Sequence, residues 1–324
     1  MVSTVALQLV AALALFLLGL EELSRTLRAL ESVRVREWLA RLSGAPWLAL
    51  LTGLWVTALL DSSSAVIVLL IALVDSRTLA FENALGIVLG TNIGTTVSSQ
   101  IIALNVGRLA PVLLLVGVIG QLLVRSERAA LRFRVAIGVG LIFTGLEQLE
   151  AALQPLREVP AVLAWLDSLT DPARGIFAGG LLTLVIQSSS ATLGVAIQLC
   201  IAGLMSLPAG VAVMLGAELG TCGDTLIASL GRSRAALRVA VFHLLFNVVS
   251  VGLGALCIGS LVAAATALSP AAGPGRQLAN AHTLFNTVAA VLVLPLLPWV
   301  AKALRRAIPD GGEPQSSCAA SSKS

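Results

Sequence analysis

The same polar punctuation occurs twice in this chain, 126 residues apart. Leu15–Leu23 reads LFLLGLEEL and Leu141–Leu149 reads LIFTGLEQL, and 141 − 15 = 126. At that offset, without a gap, Pro46 falls on Pro172, Gly53 on Gly179 and Thr57 on Thr183. Ser62-Ser63-Ser64-Ala65 falls on Ser188-Ser189-Ser190-Ala191, Gly90, Gly94 and Thr95 fall on Gly216, Gly220 and Thr221, and Arg108 falls on Arg234. Chance does not hold one register through so many small and polar positions, so the two stretches are copies of one unit. The expected organisation is a first unit over 1–126 and a second over 127–308. The second includes two further elements, roughly Val239–Leu268 and Ala279–Ala301. The Ser/Gly/Pro-rich stretch 309–324 is expected to be a disordered tail.

The solvent of these units follows from composition. Apolar residues make up 57% of the chain and charged residues 12%, against about 25% charged in soluble domains. The mean hydropathy is +0.96. The runs Val5–Leu20, Leu109–Val124, Val239–Val262 and Val288–Val300 supply membrane spans. The N-terminal run lacks a basic leader and its sequence returns in the second unit, so it is read as part of the fold and not as a signal peptide. A net charge of +4 could suggest a nucleic-acid partner. The basic residues instead sit in short clusters between apolar runs with almost no aromatic residues among them, which excludes nucleic acid and fits a positive-inside bias. Cys200, Cys222, Cys257 and Cys318 have no metal-ligand spacing, and the first three are read as small core residues.

Two copies inside a membrane point to a transporter with its site at their interface. A single helix from Trp47 to Val74 would be too long for a span of about 20 residues. Two half-helices, Trp47–Leu60 and Ala65–Val74, with Ser62-Ser63-Ser64 at the tip of a re-entrant hairpin, remove that excess. They put a loop at Arg25–Arg41 on the cytoplasmic side, with Arg77, Arg125–Arg134, Arg232–Arg238 and Lys302–Lys323. Seventeen of the 21 basic residues then lie inside, and Arg108, Arg157, Arg174 and Arg276 outside. The expected fold class is an all-α polytopic membrane protein of two inverted-topology repeats with re-entrant helical hairpins and broken helices.

Each unit carries two polar islands in apolar sequence. The first is Asp61-Ser62-Ser63-Ser64 against Gln187-Ser188-Ser189-Ser190. The second is Gly90-Thr91-Asn92-Ile93-Gly94-Thr95-Thr96 against Gly216-Ala217-Glu218-Leu219-Gly220-Thr221-Cys222-Gly223-Asp224. The glycines are expected to permit an unwound backbone, which at membrane depth is tolerated only where it lines a cavity or is buried in protein. Hydroxyl, amide and carboxylate oxygens suit a hard alkali cation. N–H groups at half-helix N-termini, beside serine hydroxyls, suit an oxyanion. A lone serine in a membrane helix is ordinary helix–helix glue, but three in a row, repeated at the equivalent position, mark a central polar site. A carboxylate at bilayer depth costs about 2.5–3.5 kcal/mol, so Asp61 and Glu218 are functional candidates, Asp224 stands nearer a helix end, and Glu82 reads as a solvated end. His243 and His282 read as packing or helix–helix hydrogen-bonding residues. No Lys or Arg falls in the islands, so an anion here would need co-bound cations.

The serine triplets, the Gln187 that leads the second, and GTNIGTT at Gly90–Thr96 resemble the type II sodium–phosphate cotransporter family. Two H-x-x-F-N motifs, His243–Asn247 and His282–Asn286, agree with it. The resemblance runs from about Leu9 to Leu304. It implies inorganic phosphate moved with sodium across a bacterial-type inner membrane, with no enzyme activity, no cofactor beyond sodium as coupling ion, and a homodimer as an admissible assembly. It further implies phosphate near Ser62, Ser63, Ser64, Ser188, Ser189 and Ser190. Sodium coordination is implied for Gln187, Asn92, Thr95 and neighbours, which extends the set to Thr96, Thr221, Asp61, Glu218 and Asp224. The chain departs from the family in Asp61, where a Gln is usual, in Glu218 and Asp224, where Asn and Thr are usual, and in lacking the soluble helical domain that many bacterial relatives append. Export, or another small oxyanion, is the alternative on the same fold. A channel and a membrane serine hydrolase are the further rivals, the latter without a G-x-S-x-G turn.

Overall fold

The computed structural model describes residues 2–41, 44–104 and 107–310. The described residues form helices and contain no strand. In chain order they are α1 (Val2–Arg41), α2 (Pro46–Leu60), α3 (Ser63–Asp75), α4 (Phe81–Ile102), α5 (Ala110–Leu123) and α6 (Glu127–Leu153). These are followed by α7 (Pro160–Ser168), α8 (Pro172–Ile186), α9 (Ser189–Ile201), α10 (Leu207–Gly220) and α11 (Cys222–Ser229). The last four are α12 (Arg234–Leu256), α13 (Ile258–Leu268), α14 (Pro274–Val293) and α15 (Leu297–Ala307). Six helical stretches are long and apolar enough to cross a membrane: Thr4–Leu30, Phe81–Ile102, Glu127–Glu158, Leu207–Ser229, Arg234–Leu256 and Pro274–Ala307. The bent pair α7–α8 would make a seventh. The expected tail lies, from residue 311 onward, outside the described residues.

The duplication survives in the helix boundaries. Moved by 126, α2 falls on α8 and α3 on α9 at both ends. Each of α2 and α8 begins on a proline, whose fixed φ suits a first helical turn and whose missing N–H is not needed there. At about 1.5 Å per residue the 15-residue α2 and 13-residue α3 are each well short of a bilayer core. The half-helices thus match expectation to within a residue or two.

Elsewhere the structure departs from the sequence reading. Arg25–Arg41 is not a loop but the second half of the 40-residue α1. At about 1.5 Å per residue α1 is roughly twice the thickness of a bilayer core, so it runs on past any membrane face. Its counterpart in the second unit is broken. Prolines stand at 155 and 160, where the first unit has Ala29 and Arg34. A proline inside a helix removes a backbone donor and clashes with the preceding turn. There α6 gives way to a 3-10 turn over Gln154–Glu158 and then to α7, which meets α8 at 103°. The two elements expected after the second unit are four helices, α12 to α15. The run Leu109–Val124 yields only the 14-residue α5, short for a span.

The glycine-rich islands also do something other than unwind. In the first unit α4 runs unbroken through Gly90–Thr96. A methyl group on Gly90 would run into the carbonyl of Leu50 on α2, and one on Gly216 into the carbonyl of Ile176 on α8. Leu50 and Ile176 are themselves 126 apart. The glycines let two helix backbones touch, twice, in the same register, as small residues do in membranes. In the second unit α10 ends at Gly220 and α11 begins at Cys222, with Thr221 between them in helical conformation, so Leu207–Ser229 remains one membrane-length stretch.

Two apolar cores result. One joins α1, α6, α9, α10 and α14 through residues such as Phe16, Phe143, Ile197, Met214 and Phe285. The other joins α2, α3, α4, α12 and α15 through Val56, Ile67, Leu85, Val239 and Leu304. Below the second core Arg238 is buried. It donates to the Ile308 carbonyl at 2.8 Å and to Asp310 at 2.6 Å, the pairing a buried guanidinium requires. Glu82, read as a solvated end, is half exposed and pairs with Arg305. Cys200 and Cys222 are buried as expected, whereas Cys257 is exposed.

Candidate functional site

At both hairpin tips the backbone turns through a left-handed residue that is not glycine. Asp61 has φ 51° and ψ 34°, and Gln187 has φ 58° and ψ 30°. The next serine caps the following helix. The Ser62 hydroxyl accepts from the Ala65 N–H, and that of Ser188 from the Ala191 N–H, each at 3.2 Å. Serine is a preferred cap because its oxygen takes one of the orphan N–H groups of a first turn. Other first-turn N–H groups, those of Ser63 and Ser64 or of Ser189 and Ser190, have no carbonyl one turn earlier to bond. They lie at the positive end of a helix dipole. The tips are therefore two donor-rich corners with the same backbone.

Their side-chain surroundings differ. The Ser98 hydroxyl of α4 donates to Asp61. The Ser64 hydroxyl donates to Asp224 of α11 at 3.4 Å, a long contact that ties the first tip to the second unit. Ser98 and Asp224 occupy equivalent positions, 126 apart. Ser98 was not singled out from the sequence, although its register with Asp224 could have pointed to it. Gln187 is exposed, whereas Asp61 is half-buried. No hydrogen bond joins the two tips to each other among the described residues.

In the second islands the hydroxyl protons are spent on the helix itself. Thr95 donates to the Asn92 carbonyl at 2.7 Å, Thr96 to that of Ile93 at 2.8 Å, and Thr221 to that of Glu218 at 2.8 Å. The Asn92 side-chain N–H donates to the Val88 carbonyl at 3.0 Å. With their protons engaged, the three threonine hydroxyls have only lone pairs to offer, which is what a cation needs and an anion does not, and Asn92 keeps its carbonyl oxygen beside a second N–H. Asn92, Thr95, Thr96 and Thr221 are all buried.

Glu218 enters a network that the sequence did not reveal. One of its oxygens, Oε1, lies 2.7 Å from His282 Nε2 and accepts from Asn286 Nδ2 at 3.0 Å. The other ring nitrogen of His282 lies 2.8 Å from Ser99 Oγ on α4. His243 makes the matching contact, Nδ1 to Thr225 Oγ1 at 3.0 Å, and Ser99 and Thr225 are again 126 apart. Both histidines are thus helix–helix hydrogen-bonding residues, as read. His282 on α14 joins the first unit, through Ser99, to the second, through Glu218. An open groove lies elsewhere. It has a volume of about 930 Å³ beside α7 and α8, with Leu13, Leu153, Trp165, Phe177 and Leu181 in its wall. Its lining is mostly apolar, with Arg174, Ser168 and Thr192 as its polar members, and contains none of the serine-triplet residues.

The family description Na+/Pi-cotransporter matches residues 15–151 and 157–271. The uncharacterized protein YqeW of Bacillus subtilis (strain 168) is 30% identical over 289 residues, covering 88% of this chain and 92% of its own length. YjbB of Escherichia coli (strain K12), whose name gives inorganic phosphate export as a working assignment, is 31% identical over 310 residues, or 95% of this chain. YjbB of Salmonella typhimurium (strain LT2) is 30% identical over the same length. This chain spans 56% of each YjbB protein. No solved structure matches it. With the family match covering most of the chain and the apolar helices to go with it, this integral membrane protein belongs to the Na+/Pi-cotransporter family, a family of transporters and not of enzymes.

Proposed function

We propose that the chain carries inorganic phosphate across the cytoplasmic membrane of a bacterial cell, coupled to sodium. The observation that supports this best is the pair of serine-capped half-helix N-termini, identical in backbone at Asp61-Ser62-Ser63-Ser64 and Gln187-Ser188-Ser189-Ser190. Helix N-termini with hydroxyls beside them are oxyanion donors, and with no basic residue in the islands a divalent phosphate needs cations for company. In this reading the units 1–126 and 127–308 are inverted, with re-entrant hairpins meeting at the cargo. Sodium takes oxygens from Asp61, Asn92, Thr95, Thr96, Gln187, Glu218, Thr221 and Asp224. Export is the second reading, favoured by the name of the YjbB relatives.

The test is radiolabelled phosphate flux in proteoliposomes, inward and outward, with sodium or choline. Saturable flux that needs sodium is expected. Ser63→Ala and Ser189→Ala each remove one donor to a charged group, worth about 1.5–3 kcal/mol, so half-saturating phosphate should rise roughly ten- to hundredfold. Unchanged affinity in both variants would sink the shared site. Flux indifferent to sodium would leave a phosphate carrier of another kind.

A further inference from the structure

The two H-x-x-F-N motifs leave the same atom without a partner. Asn247 and Asn286 are fully buried. The amide nitrogen of Asn247 donates to the His243 carbonyl at 3.1 Å and to Cys222 Sγ at 3.4 Å. That of Asn286 donates to the His282 carbonyl at 3.3 Å and to Glu218 Oε1 at 3.0 Å. A carbonyl or carboxylate acceptor beside each nitrogen fixes which end of the amide is which. The two oxygens, Asn247 Oδ1 and Asn286 Oδ1, are left buried with no donor among the described residues. One such atom could be an accident of packing. The same atom at the same motif position, on α12 and again on α14, is a built feature, because native interiors satisfy most buried acceptors.

The chemistry around these oxygens narrows what they await. Glu218 is 5% exposed, and its second oxygen, Oε2, receives no hydrogen bond among the described residues. No Lys or Arg pairs with it among those residues. Three of the four histidine nitrogens that a transition metal would seek are engaged, Nδ1 of each on Ser99 or Thr225 and Nε2 of His282 on Glu218. Buried amide and carboxylate oxygens are the ligands of a hard, oxygen-seeking cation and not of a soft one.

We propose that Asn247 and Asn286 each ligate a sodium-class monovalent cation through Oδ1, Asn286 together with Glu218. The inference rests on the sodium-coupled reading above and deepens it. It puts ion ligands on α12 and α14, which carry none of the ligands read from the sequence. The phenylalanine of each motif then serves packing, and the histidine clamps the helix to its neighbour so that the amide one turn later is held still.

The unfolding temperature of the full chain, purified in detergent without phosphate, is followed against sodium chloride, with choline chloride holding ionic strength constant. The parent should gain stability with sodium. Asn247→Leu and Asn286→Leu should each raise the sodium concentration for half that gain tenfold or more. In choline Asn247→Leu should melt no lower than the parent, since it removes an unmatched acceptor and gives up only a bond to a thiol and one to its own helix. If Asn286→Leu does not fold, Asn247→Leu alone decides. Sodium responses like the parent's in the folded variants would overturn the proposal. So would a parent that ignores sodium yet still moves phosphate, an outcome that leaves the phosphate reading standing.

Discussion

The two hairpin tips share a backbone and differ in charge. Asp61 and Gln187 turn the chain through the same left-handed corner, and Ser62 and Ser188 cap the next helix over the same distance. Yet the first tip carries a carboxylate where the second carries an amide. The reverse holds on the islands, where Glu218 and Asp224 of the second unit stand opposite Asn92 and Ser98 of the first. The hydrogen bonds cross accordingly, Ser98 to Asp61 within one unit and Ser64 to Asp224 between units. Duplication supplied a symmetric scaffold, and divergence distributed the negative charge unequally over it.

Three measurements test how alike the two units are. The largest effect is all-or-none. If the units are inverted, single cysteines replacing Arg132 and Asp167, both exposed, should react with an impermeant reagent from opposite sides of the membrane in an otherwise cysteine-free chain. Labelling from one side would end the inverted model. Next comes the shared seam. Gly90→Ala and Gly216→Ala each push a methyl into the partner helix's carbonyl, where the backbone cannot step aside. Each should lose about 3 kcal/mol, at the upper end of overpacking costs, and by similar amounts in thermal unfolding. Gly252→Ala, with open space around it, should lose nothing. A large loss in one unit only would mean that the seams are alike in geometry but not in load.

The smallest effect concerns charge. Asp61→Gln makes the first tip chemically like the second. An ionised Asp61 near a divalent phosphate is repulsive, by about 4 kcal/mol for two unit charges 4 Å apart at an effective dielectric of 20. Something positive must therefore sit with it, and its hydroxyl-rich neighbours favour sodium over a proton. The variant should need about tenfold more sodium for half-maximal uptake, the worth of one interaction with a charged group, and keep the parent's pH profile. A flattened pH profile with sodium affinity intact would assign the compensation to a proton. A variant matching the parent in both would reduce Asp61 to a helix-end residue.

What the sequence disclosed and what it hid divide along physical lines. The register of small and polar residues is echoed in the matching bounds of α2 and α8 and of α3 and α9, and the serine triplets marked the corners, because caps and corners are local and leave local marks. The glycines were misread. In a membrane the same residue that allows unwinding allows close helix contact, and only the facing carbonyls of Leu50 and Ile176 distinguish the two uses. The arginines of Arg25–Arg41 looked like a loop because charge in an apolar chain usually ends a span, yet a helix can carry charge beyond the membrane face. The Glu218–His282–Asn286 network was illegible, since its members are 64 and 68 residues apart. The twin motifs signalled that those residues mattered, but not which carboxylate they would meet.

The matching ends of α2 and α8, and of α3 and α9, carry a consequence for how such a protein can change. From Pro46 to Asp75 and from Pro172 to Ile201 the two copies have kept one chain length while most side chains drifted apart. Substitution has been free there and insertion has not. A corner of two residues between half-helices cannot absorb a third without rotating every position after it by about 100°, which would swing the cap serine away from its helix and the glycine seam out of register. Even the break near Arg157 adds no chain, since the offset of 126 holds on both sides of it; the second unit bends its long helix there by substitution alone, with prolines at 155 and 160.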